Sequence, residues 1–123
     1  MSTIAGVLVA LVALEHLYIL WIEMFVWTTK GKEVFRDALP EELFEPTRGL
    51  AANQGLYNGF LAAGLIWGLI IGDPEWSIRV QIFFLGCVIV AATYGVLRSS
   101  RSILIKQGLP AILALLALLL AQA

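Results

Sequence analysis

The stretch IAGVLVALVALEHLYILWIEMFVW, residues 4–27, decides the fold. It contains no proline, and its ionisable side chains are Glu15, His16 and Glu23. A helix rises about 1.5 Å per residue, so a run of this length crosses the roughly 30 Å hydrocarbon core of a bilayer. Glu15-His16 then falls near the membrane midplane, where a carboxylate costs at least ~2.5 kcal/mol. A charge there needs a partner, a proton or a purpose.

The remainder of the chain is of the same kind. Of its 123 residues, 60% are hydrophobic and 14% charged. A soluble domain of that length could not bury so much apolar surface, which makes the lipid bilayer the expected partner and solvent. The net charge of −1 argues against nucleic acid. Cys87 is the single cysteine and lies in an apolar stretch, which excludes an internal disulfide and a cysteine-based zinc site. It reads as a small hydrophobe within a helix. The first apolar segment lacks a basic region before it and carries three ionisable groups, so it does not read as a cleavable signal; no lipidation motif is visible.

Four apolar segments can be drawn, at about 4–27, 49–72, 77–97 and 103–121, within a single integral-membrane domain, 1–123. The breaker Gly72-Asp73-Pro74-Glu75 separates the second from the third. Pro110 either starts the last helix or kinks it. The fold class expected is an all-α membrane protein, an antiparallel bundle of four transmembrane helices. Of the 8 basic residues, Lys30, Lys32, Arg36, Arg48, Arg98, Arg101 and Lys106 fall on one side and only Arg79 on the other. The positive-inside rule then puts loops 28–48 and 98–102 in the cytoplasm and both termini outside. Trp27 and Trp76 fit interfacial anchors at opposite faces.

Between the first two spans, Val34, Phe35, Ala38, Leu39, Leu43 and Phe44 alternate with charged residues. That pattern fits a short amphipathic segment in the headgroup region, broken at Pro40 and ended near Pro46, which covers the bundle or gates it. Gly64, Gly68 and Gly72, and also Gly55 and Gly59, form small-residue stripes suited to close helix packing within the chain or to a homodimer seam.

Registering the helices by depth brings polar residues to one level. Glu23 lies about four residues in from the cytoplasmic end of the first span, level with Asn53 and Gln54, with Thr93 and Tyr94, and with Gln107. Tyr57 and Asn58 come one turn deeper, and Glu15-His16 deepest. Gln54 and Asn58 are four apart, as are Asn53 and Tyr57, so each pair shares a helix face. The expectation is a polar cavity open to the cytoplasm and ending at Glu15-His16, with an outer half that lacks comparable groups and is closed. The candidate ligand- or proton-binding residues are Glu15, His16, Glu23, Asn53, Gln54, Tyr57, Asn58 and Tyr94. Against this stands the plainer role of Asn, Gln and Tyr as interhelical hydrogen-bond glue.

The strings ALEHLYI, residues 13–19, and GLAANQGLYNGFL, residues 49–61, together with Glu23-Met24-Phe25 and Gln107-Gly108 before Pro110, resemble a bacterial membrane family known as Domain of Unknown Function 1304. The resemblance runs along nearly the whole chain. It implies a small four-span protein of the bacterial inner membrane, and it assigns no catalytic residue.

Three functions compete. The first is binding or proton-coupled transport of a small amphipathic or cationic compound, in which Glu15 trades a proton for a cation and Tyr18, Trp21, Tyr57 and Tyr94 offer ring faces to it. The chain is similar to the small multidrug resistance transporters in size, span number and a glutamate midway along the first helix, and in nothing further. The second is an accessory subunit of a membrane complex. The third is an intramembrane acid–base enzyme, isomerase-like, acting on a lipid-like substrate through Glu15, His16 and Glu23. Ligand binding or transport ranks first and an enzyme last. No cofactor and no metal is expected, since adjacent Glu15 and His16 diverge by about 100° around a helix.

Overall fold

The computed structural model describes residues 3–98 and 104–122. Among them, every regular element is helical. Helix α1 is Thr3–Phe25, α2 is Lys30–Val34, α3 is Arg48–Ile70, α4 is Pro74–Arg98 and α5 is Leu109–Leu120. A single 3₁₀ turn, Glu41–Leu43, lies between α2 and α3, and a π-helical turn, Leu104–Gly108, leads into α5. Loop 98–102 and the start of the fourth apolar segment lie largely outside the described residues.

Local chemistry sets the boundaries. Asp73 caps α4 by accepting from the Trp76 amide at 3.0 Å, and Pro74 takes the first helical position, where a missing N–H costs nothing. Helix α4 therefore starts three residues before the expected Ser77. Helix α3 follows Thr47, whose hydroxyl donates to the Leu43 carbonyl at 2.7 Å. Pro110 stands in the first turn of α5 and marks its start rather than kinking its middle.

Helices α1 and α4 are long and apolar enough to cross a membrane. Helix α3 has 23 residues but carries Asn53, Gln54 and Asn58 in its first half, and α5 has 12 residues, so these two fall short on apolarity and on length. The two long apolar helices are mostly not core helices: 33% of the apolar window of α1 and 22% of that of α4 are buried within the chain. Large apolar side chains cover the outside instead, among them Ile4, Leu50, Leu97 and Leu120, each more than two-thirds exposed.

Packing follows small residues. Helix α1 lies along α3, α3 against α4, and both α1 and α4 touch α5. The core joins Ala5, Val9, Val12 and Ala13 of α1 to Leu65 of α3, Leu85 and Val88 of α4, and Ala111, Ala114 and Leu118 of α5. Close approaches at Gly55, Gly59, Gly64 and Gly68 depend on absent side chains. A Cβ on Gly55 would lie 2.8 Å from Met24 Cγ and 3.0 Å from Glu23 Cβ, and one on Gly68 would lie 2.8 Å from Gln81 Cγ. Gly55 and Gly59 thus face α1, and Gly64 and Gly68 face α4, while a Cβ on Gly72 would meet nothing within 4 Å.

The segment between α1 and α3 folds onto one end of these helices. The Trp27 ring lies 4.8 Å from that of Phe44 and 5.7 Å from that of Phe35, and its indole N–H donates to Thr47 Oγ1 at 3.0 Å. Phe44 is fully buried by this cluster.

Candidate functional site

On the same end as that aromatic cluster, α1, α3 and α4 line a cavity of about 790 Å³. Its long wall is a stripe of α1, Glu15, Tyr18, Ile19, Ile22 and Glu23, at the i, i+3, i+4, i+7, i+8 spacing of one helical face. Gln54, Tyr57, Asn58 and Leu61 of α3 stand opposite, and Ala91, Tyr94 and Gly95 of α4 close a side. Val34, Phe35, Asp37, Ala38 and Leu39 roof it, with Lys106 and Gln107 of the π turn at the margin. The Lys106 ammonium donates to the Val34 carbonyl at 3.3 Å and so ties the π turn to the roof.

Three carboxyl-bearing residues line this cavity: Asp37, exposed in the roof, and Glu23 and Glu15 on the α1 wall. Glu23 is buried, and its Oε1 accepts from Asn58 Nδ2 at 2.6 Å. The same Asn58 amide also donates to the Gln54 carbonyl at 3.3 Å, which fixes its orientation. Glu15 Oε1 is buried and, among the described residues, has no hydrogen-bond partner. The ion pairs of the described residues lie elsewhere: Lys32–Glu41 at 4.0 Å, Arg48–Glu45 at 3.2 Å, and Arg79–Glu75 on the first turn of α4. Glu23 is buried and Glu15 half-buried, neither is ion-paired among the described residues, and burial of an unpaired carboxylate carries a desolvation penalty of several kcal/mol.

Of the eight candidates read from the sequence, Glu15, Glu23, Gln54, Tyr57, Asn58 and Tyr94 line the cavity. His16 and Asn53 do not. His16 is buried, with Nδ1 donating to the Val12 carbonyl at 2.9 Å within α1. Asn53 is exposed on α3. Each is adjacent in sequence to a lining residue, and the roughly 100° step of a helix turns it off the cavity face. The interior end of the cavity is therefore Glu15 alone. The ring of Tyr94 is already engaged, with the Arg98 guanidinium 5.7 Å from its centroid and Arg98 Nε donating to its hydroxyl at 3.3 Å. Among the described residues, no three His, Cys, Asp or Glu side chains gather as a metal-ligand set.

The expected absence of polar groups from the other half is corrected by Ser77 and Gln81. Gln81 is fully buried and donates to Ser77 Oγ at 2.9 Å, and Ser77 donates to the Gly68 carbonyl at 2.7 Å. Gln81 Oε1 has no partner among the described residues. Their i, i+4 spacing on an otherwise apolar helix was the available signal. The roof residues Phe35 and Asp37 were visible as part of an amphipathic segment, but nothing in their pattern marked them as cavity wall.

Fold and site together define a small all-helical protein with two membrane-length helices and an acidic, tyrosine-lined cavity. The chain belongs to the DUF1304 family of proteins of unknown function, whose model matches residues 10–119. It is similar to the uncharacterized protein YpaA of Lactococcus lactis subsp. lactis (strain IL1403), with 35% identity over 118 residues, covering 94% of this chain and 97% of that protein. No solved structure matches it.

Proposed function

We propose that this chain crosses the bacterial inner membrane four times as an antiparallel bundle, with both termini outside and loops 28–48 and 98–102 in the cytoplasm. In this reading it binds a small amphipathic or cationic compound in the α1–α3 cavity and exchanges it against protons held on Glu15 and Glu23. The observation that carries the reading is the cavity itself: a buried Glu23 and a half-buried Glu15, neither with a basic partner among the described residues, set in walls of tyrosine and aliphatic side chains.

Several features support the membrane part. Apolar side chains line both the core and the outer surface, as lipid solvation requires. Two of the three polar residues that lower the apolarity of α3, Gln54 and Asn58, line the cavity, while Asn53 is exposed off it. Helix α5 continues the π turn, and Lys106–Leu120 together form one apolar stretch that a thinned bilayer accommodates. Lys32 and Arg36 belong to the segment that roofs the cavity, and Arg48 follows the lining residue Thr47 in sequence, which supports a cytoplasmic opening.

The test uses a dansyl-labelled alkylamine as a fluorescent amphipathic cation, with protein in detergent for binding and in vesicles under a pH gradient for movement. Glu15→Gln and Glu23→Gln are expected to weaken binding by about tenfold or more and to abolish gradient-driven uptake. Wild-type binding and uptake in both variants would contradict the proposal.

A further inference from the structure

The arrangement of the two carboxyl groups narrows the class of ligand, granted the reading of the cavity as a cation site. Glu15 and Glu23 stand at opposite ends of one wall. They are eight residues apart on one helix, which is a rise of about 12 Å, the reach of an extended chain of about eight methylenes. Between them that wall is apolar, with Ile19 and Ile22 of α1 facing Leu61 of α3 and Ala91 of α4. The only ammonium group among the lining residues, Lys106, is at the margin and bonded to Val34.

A ligand with a single ammonium group would satisfy one carboxylate and leave the other to hold a proton. A ligand with one at each end would satisfy both, and its alkyl spacer would match the aliphatic wall between them. The geometry points to an elongated diamine as the ligand class: one ammonium on Glu23 beside Asn58, the other on the Glu15 carboxylate, and an apolar spacer of about eight to ten carbons lying between them along Leu61 and Ala91. Asn58 has a positioning role, holding the Glu23 carboxylate through its amide while the remaining oxygen faces the ligand. Tyr18 and Tyr57 flank the path with ring faces suited to a cation.

The experiment displaces the dansyl-labelled alkylamine with two series of equal lengths, diaminobutane to diaminododecane and butylamine to dodecylamine, on wild-type protein. The diamine advantage over the monoamine is expected to peak at diaminooctane to diaminodecane and to reach about tenfold there. Glu15→Gln, which weakens the probe itself, should also remove that advantage, so that diamines and monoamines of each length then displace the probe equally. Equal displacement by diamines and monoamines at every length would overturn the diamine inference and leave the cation site standing. Failure of both series to displace the probe from wild-type protein would overturn the two together. The wild-type length series decides the matter on its own should a variant fail to fold.

Discussion

A rotation of about 100° between successive helical residues sends Glu15 to the cavity and His16 into the packed interior, where its ring donates to the Val12 carbonyl. The dipeptide was legible as unusual because a carboxylate and an imidazole interrupt an apolar run. Which of the two faces the cavity was not legible, since phase is fixed only by the neighbours α1 packs against. The same rotation separates Asn53 from Gln54. It yields a paired expectation: Asn58→Ala, which removes the 2.6 Å bond to Glu23, should cost about 1–3 kcal/mol, whereas the exposed Asn53→Ala should stay within about 0.5 kcal/mol. Thermal unfolding in a mild detergent checks both. At the other end, Gln81 retains an unpartnered carbonyl oxygen in full burial. Gln81→Met, which removes the amide and keeps the volume, should therefore be neutral or stabilising, while Gln81→Ala should cost about 2 kcal/mol or more through the void it leaves. Equal losses for the two would show that the amide holds α3 and α4 together.

At the scale of elements, the apolar runs and the Asp73-Pro74 breaker announced the helices, because length, apolarity and a capping residue act locally. What sequence could not supply is which glycines touch which helix. Gly55 meets Met24 and Glu23 at the level of the cavity, and Gly68 meets Gln81, whereas a Cβ on Gly86 of α4 would meet nothing within 4 Å. Gly55→Ala should then push α1 from α3 and cost about 1–3 kcal/mol, and Gly86→Ala should be neutral or gain a few tenths of a kcal/mol through helix propensity. Both are read by unfolding, and a destabilising Gly86→Ala would place an unseen contact on that face. The segment between α1 and α3 read as amphipathic; it folds as a short helix and a 3₁₀ turn, with Phe44 buried and Ala38 and Leu43 exposed. That it covers the bundle was among the expectations; which contacts hold it there was not legible, because they depend on Trp27 gathering Phe35 and Phe44 and on Lys106 reaching Val34 from far along the chain.

At the scale of the whole molecule, one end is a closed apolar core and the other an acidic cavity under a folded segment. The depth register of polar residues pointed to that division; it missed Ser77 and Gln81 in the other half, and it counted His16 and Asn53, which lie off the cavity. A four-span topology predicts that single cysteines in a Cys87→Ala background label from opposite sides: at Asp37 from the cytoplasm and at Asp73 from outside. Labelling of both from one side would remove that topology. The central claim is that the cavity holds a ligand through its carboxyl groups, and native mass spectrometry of protein gently extracted from its own membranes tests it most directly. Wild-type protein should carry a small bound amine that is missing from Glu15→Gln and Glu23→Gln; wild-type protein free of any such ligand, or one retained unchanged in both variants, would contradict the account.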